Sequence, residues 1–157
     1  MTGWRIGYIA APIQVAKACT KKQGQFTSAP SGISQMAAKA AMEADPADVQ
    51  FMVEAFSKRR SIMIKGLNNI PGFICNEPEG AFYLFPKISD HLGKSFEGQP
   101  IDSAKDFCMY LMNEAHVATV PGSAFGADEY IRLSYAASEE QLLEALSRIE
   151  TAVMKLD

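Results

Sequence analysis

The sequence predicts an α+β (α/β layered) chain, with a small mixed sheet covered by helices and preceded by a strand and helices. Three observations predict it. Short β-branched or aromatic runs alternate with longer stretches of helical period. Glycine and proline punctuate the junctions, so these runs read as separate elements. A chain of 157 residues, 48% hydrophobic and 21% charged, has enough apolar material to build a core without disulfide or metal staples.

Each element has its own signature. Arg5 to Ala11 is an apolar run stopped by Pro12 and reads as a buried strand. Ile13 to Lys22 reads as a helix ended by Gly24, followed by a polar loop from Gly24 to Gly32. Ile33, Met36, Ala37, Ala40 and Ala44 share one face of a second helix. Asp45-Pro46 is a helix start: aspartate caps free amides, and proline at the first position lacks an amide that would go unpaired. The helix that follows extends to about Asn68, with Val49, Met52, Phe56, Met63 and Leu67 on its buried stripe. Its basic residues Lys58, Arg59, Arg60 and Lys65 read as a solvated face.

Pro71-Gly72 turns the chain into a short strand near Phe73 to Cys75, and Ala81 to Phe85 forms another strand. Residues 86 to 101 read as a loop. Ala104, Phe107, Cys108, Leu111, Met112 and Ala115 mark an amphipathic helix. Val117 to Val120 and Tyr130 to Tyr135 read as strands, separated by a loop at 121–126. Ser138 and Gln141 form a capping box, and Leu142, Leu146, Ile149, Val153 and Leu156 line the last helix. The domain boundary falls within residues 46–69, leaving 1–45 on one side and a helix-covered sheet at 70–157 on the other.

Bulk properties exclude several function classes. A net charge of −3 argues against a general nucleic-acid binder, which needs a basic surface to meet phosphates. No segment approaches the roughly 20 apolar residues that span a bilayer, so no membrane partner is expected. Cys19, Cys75 and Cys108 are odd in number and show no CxxC pair, which suits free thiols in a reducing, cytoplasmic compartment. His91 and His116 stand apart with no clustered acids, so no metal site is expected. The glycine-rich nucleotide motifs and the nucleophile elbow are absent from the sequence.

Two arginines in apolar surroundings carry the chemistry. A permanent positive charge there is costly unless an anion meets it, and a guanidinium holds carboxylate or phosphate through a two-pronged hydrogen bond. Arg5 follows Gly3 and Trp4. Arg132 shares the more polar strand face with Tyr130 and Ser134, opposite Ile131, Leu133 and Tyr135. Together they suggest a ligand with two anionic groups; the alternative is ordinary ion pairs with local acids. Gly80-Ala81-Phe82 offers small residues at a strand entrance with Phe82 closing over a ligand, or simply a turn feeding the core. Pro121-Gly122-Ser123 lines a pocket or makes a tight turn, and Thr27 and Ser28 are loop hydroxyls. Trp4 reads as a core residue, and Cys108 as structural.

Four motifs in series (MTGWRIGY, PEGAFYLFP, VATVPGSAFG and IRLSYAASEE) resemble the carboxy-terminal part of class I, fold-type I, pyridoxal-phosphate-dependent aminotransferases, nearest the bacterial aspartate enzymes. The resemblance covers essentially all 157 residues. It implies that Arg5 holds the cofactor phosphate, that Arg132 holds the substrate α-carboxylate, and that Gly80 and Phe82 lie beside the substrate. It implies pyridoxal 5'-phosphate in the full-length protein, amino acid and 2-oxo acid substrates, and a homodimer. It also implies a large-domain remnant, a connecting helix and a carboxy-terminal small domain. The Schiff-base lysine of the family precedes the first motif, so it is expected upstream of Met1. The chain therefore reads as the back part of a longer enzyme, inactive and without cofactor on its own. Two alternatives remain: another aminotransferase of the class (aromatic or alanine) or a related lyase, and a non-catalytic interaction domain.

Overall fold

The computed structural model describes all 157 residues, and the chain divides into two compact units, Met1–Gln50 and Phe51–Asp157.

The first unit holds a 3-10 turn at Thr2–Trp4, α1 (Ile13–Phe26), α2 (Gly32–Glu43) and a second 3-10 turn at Pro46–Val49. The strand expected from Arg5 to Ala11 does not form, and Tyr8 and Ile9 are exposed. An extended run becomes a strand only when a neighbour takes its N–H and C=O groups, and this unit offers no strand to pair with. Trp4, expected in the core, is exposed, as are Ile33 and Met36 on α2. Helix α1 continues through Gly24, because one glycine costs only about 1 kcal/mol in a helix. Ser34 is the one buried residue of α2, and its hydroxyl donates to the Trp4 carbonyl at 3.4 Å. Asp45 caps as its sequence foretells, accepting from the Ala47 amide at 2.9 Å, but the turn it starts is 3-10.

The second unit contains nearly all of α3 (Gln50–Asn69) and every strand. These are β1 (Tyr83–Leu84), β2 (Lys94–Phe96), β3 (Gln99–Ile101), β4 (Val120–Pro121) and β5 (Ile131–Ser134). The helices α4 (Ala104–Tyr110) and α5 (Glu139–Val153) complete it. The small helix-covered sheet is present, in the order β1-β5-β4. Every pairing is antiparallel, where a mixed sheet was expected: Tyr83 faces Ser134, and Val120 faces Arg132. From Tyr83 to Ile88 burial alternates strictly, with Leu84, Pro86 and Ile88 inward. In β5, Ile131, Leu133 and Tyr135 point inward as the two-residue period requires.

Two segments differ from their sequence reading. Phe73 to Cys75 contributes only an isolated bridge, Ile74 to Lys87. The supposed loop at 86–101 contains the β2–β3 hairpin, turned by Glu97 and Gly98, both at positive φ. A two-residue turn of that handedness matches strand twist, but Glu-Gly is not its usual signal.

The core is continuous in this unit. Phe107, Leu111, Leu84, Ile88, Ile131 and Ile149 are almost wholly shielded. Helix α4 runs on into a π-helical turn at Leu111–Ala115, and the Tyr110 hydroxyl donates to the Ala152 carbonyl at 2.7 Å, tying α4 to α5. A Cβ on Gly66 would stand 2.3 Å from Leu146 Cδ1, so glycine sets the close approach of α3 to α5. The capping box of Ser138 and Gln141 starts α5. Val49 and Met52, placed on the buried stripe by the sequence, are exposed, whereas Met63 and Leu67 are buried. The basic stretch of α3 is only partly solvated: Arg60 meets Glu77 at 3.3 Å and the Pro78 carbonyl at 2.8 Å, and Lys58 pairs with Glu139 at 2.7 Å.

Candidate functional site

Arg132 stands at the second position of β5, on the face away from the core, and is half-buried. The alternating strand puts Tyr130 beside it, and the β1 pairing brings Tyr83 and Phe85 to the same face. Its guanidinium carbon lies over the Tyr83 ring, 4.4 Å from the centroid, and over the Phe125 ring at 4.8 Å. Phe85 packs edge-on against Phe125 at 5.9 Å and stacks on Tyr130 at 5.2 Å. Arg132 makes no ion pair and no side-chain hydrogen bond within the chain. The ion-pair alternative therefore finds no acid here. A half-buried guanidinium stacked on rings, its N–H groups unclaimed, is suited to an incoming carboxylate.

The strand entrance lies next to it. Tyr83 contacts Phe82 at 4.4 Å between centroids, and so links Phe82 to Arg132. Phe82 also packs against Phe56 of α3 at 6.4 Å. Gly80 is exposed, and a Cβ there would meet nothing, so packing within this chain does not require glycine. The unusual backbone belongs to Ala81, at φ 61°, a region that residues with a Cβ seldom adopt. It is held from the sheet: the Tyr135 hydroxyl donates to the Ala81 carbonyl at 2.8 Å, and the Tyr135 amide to the Phe82 carbonyl at 3.0 Å. Pro121-Gly122-Ser123 is a tight turn, in which a Cβ on Gly122 would stand 2.1 Å from the Ala127 carbonyl oxygen. That turn carries Phe125.

Arg5 belongs to the first unit. It is exposed, in the left-handed region at φ 51°, and its Nη1 donates weakly to the Thr2 carbonyl at 3.3 Å. The premise of an arginine embedded in an apolar strand is thus corrected for Arg5 and upheld for Arg132. Arg5 meets no carboxylate, and its Thr2 contact uses Nη1 only. Ser28 also takes positive φ, at 64°, and Thr27 accepts from the Gln23 side chain, so that loop is occupied with its own contacts.

The remaining titratable groups do not form a second centre. Burial pushes the Cys75 thiol up to about 11 and raises that of Cys108, so both stay protonated at neutral pH. His91 is buried against Phe73 and Phe107, with neither ring nitrogen hydrogen-bonded. No group of three or more potential metal ligands occurs, and no helix is long and apolar enough to cross a membrane.

The two rings that flank Arg132, Tyr83 and Phe125, are not singled out by the sequence reading. The signal for Tyr83 was its parity with Phe85 on the outward face of β1. For Phe125 no periodicity applies, because it sits on a turn.

The chain is similar to known proteins along nearly its whole length. The profile of the family "Aminotransferase class I and II" matches residues 1–149. An aspartate aminotransferase of Rhizobium meliloti (strain 1021) is 48% identical over 157 residues, covering 99% of this chain and 38% of that protein. A bifunctional aspartate aminotransferase and glutamate/aspartate-prephenate aminotransferase of Petunia hybrida is 46% identical, covering 99% of this chain and 33% of its own. The crystal structure of the aspartate aminotransferase from Rhizobium meliloti superposes with a TM-score of 0.90 at 47% identity, over 100% of this chain and 40% of the other. An aromatic aminotransferase from Pyrococcus horikoshii OT3 gives 0.82 at 37% identity, over 98% and 40%. The chain thus spans well under half the length of the relatives it matches.

Proposed function

Because the chain belongs to the class I and II aminotransferases, we propose that the protein carrying it transfers an amino group from aspartate to 2-oxoglutarate with pyridoxal phosphate. The observation that carries this reading is Arg132: a half-buried guanidinium with no acid of its own chain, lying over two rings.

The residues have separate tasks. Arg5 offers its exposed fork to the phosphate of the cofactor. When bound, the cofactor stabilises the negative charge that builds on the substrate α-carbon. Arg132 takes the α-carboxylate through two parallel hydrogen bonds and so fixes the substrate's orientation. Ala81 and Phe82, held through Tyr135, shape the strand entrance next to that carboxylate. Gly80 leaves that entrance open on its outer side.

None of the ten lysines is assigned the covalent cofactor linkage. The isolated 157-residue polypeptide is accordingly proposed to be inactive. Residues 1–45 are proposed as the end of a large domain, 46–69 as the connector and 70–157 as the small domain. The full-length enzyme is proposed to be a homodimer, as the resemblance to the family implies. Three free cysteines support a cytoplasmic location.

The test is an amino-transfer assay on the full-length protein with pyridoxal phosphate. Aspartate should outpace phenylalanine and alanine as donor to 2-oxoglutarate. Faster transfer from phenylalanine would move the protein to the aromatic branch, and no transfer from any of the three would refute the reading.

A further inference from the structure

Phe125 is half exposed at the tip of a turn, an unusual place for a phenylalanine, yet its environment is well defined. Phe85 supports its ring edge-on. The turn that carries it is closed by the Ala127 amide donating to the Gly122 carbonyl at 3.0 Å, and by the Gly122 amide donating to the Tyr130 carbonyl at 2.7 Å. Tyr83 is fixed independently, through the pairing of β1 with β5. Both rings meet at one atom, the guanidinium carbon of Arg132.

We propose that Tyr83 and Phe125 are positioning residues that hold the Arg132 guanidinium in its receiving orientation before the substrate carboxylate arrives. The proposal rests on the reading of Arg132 as carboxylate anchor. An arginine side chain has many rotamers, and ordering it on binding opposes affinity. Ring faces attract the cation without using its N–H groups as an acid would. Two rings from different elements therefore order the side chain and leave its hydrogen-bonding edge for the ligand. An acidic partner would order it equally well but would compete with the substrate for the same donors. The sheet supplies one ring and the turn after β4 the other, so the device requires both pieces of the fold.

The experiment uses the full-length protein loaded with pyridoxal phosphate. Steady-state kinetics are measured for aspartate and 2-oxoglutarate, and the dissociation constant is measured for succinate, which has carboxylates but no amino group to react. Phe125→Leu and Tyr83→Leu should each raise KM for both substrates about three- to tenfold and weaken succinate by a similar factor, with kcat changed less than about twofold. Phe125→Tyr, which keeps the ring, should recover most of the lost affinity. In an Arg132→Lys background, Phe125→Leu should add less than about a twofold loss, because residues acting through one group are not additive. The proposal is overturned if succinate and both KM values are unchanged in the leucine variants while Arg132→Lys impairs them, or if the losses simply add. Should Arg132→Lys itself leave succinate binding intact, the anchor reading fails and the proposal with it. Phe125 lies at an exposed turn, so its leucine variant tests the idea even if Tyr83→Leu does not fold.

Discussion

The two units draw on similar residue types and reach opposite outcomes. All of the buried hydrophobic core lies from Met63 onward, in the second unit. In the first, Tyr8, Ile9, Ile13, Phe26 and Ile33 are largely exposed, although they sit in apolar runs or at helical spacing. Amphipathic pattern states what an element is able to bury; it does not supply the surface that buries it. The second unit contains both halves of each contact, sheet and covering helices alike.

The comparison breaks most easily at the core. In the 157-residue chain, Phe107→Ala should cost about 3–5 kcal/mol, whereas Ile33→Ala should fall within about 0.5 kcal/mol of the parent. Urea unfolding of both variants checks this, and equal losses would erase the distinction between the units.

Acid should loosen the second unit through His91. Burial holds its pKa down to about 4 from 6.5; Lys94 acts in the same direction and Asp90 opposes it. Below pH 6.5 the unfolded chain accepts a proton that the buried imidazole refuses. The stability is therefore complete above 6.5 and is lost as the pH falls toward 4. Between pH 7.5 and 5 this amounts to about 2 kcal/mol. The loss should shrink in His91→Leu; an unchanged pH slope in that variant would remove histidine from the account.

A smaller effect sharpens the contrast by its sign. Gly66→Ala pushes a methyl group against Leu146 and should destabilise by about 1–2 kcal/mol. Gly24→Ala in α1 meets open space and should stabilise by up to about 1 kcal/mol. Thermal melts of the two variants should move in opposite directions.

Legibility followed the same division. The β5 alternation and the Ser138–Gln141 capping box were readable, because each depends on residues close in sequence and on a surface the chain supplies itself. The run from Arg5 to Ala11 was misread because its partners were assumed rather than seen. The β2–β3 hairpin was missed because Lys94-Ser95-Phe96 and Gln99-Pro100-Ile101 lack an apolar alternation, and proline is a poor strand residue away from an edge. At the site, Arg132 stood out by its motif and its strand parity. Of the two rings around it only Tyr83 had a signal, its strand parity; their meeting was not legible, since strand pairing and a turn, not spacing, bring Tyr83 and Phe125 to one atom.

The central claim is that Arg132 receives the substrate carboxylate. Its most direct test is the kinetics of Arg132→Lys in the full-length protein, since lysine keeps the charge but loses the planar fork. The predicted result is a fall in kcat/KM for aspartate of at least about 100-fold, or about 2.7 kcal/mol. Unchanged kinetics would contradict it.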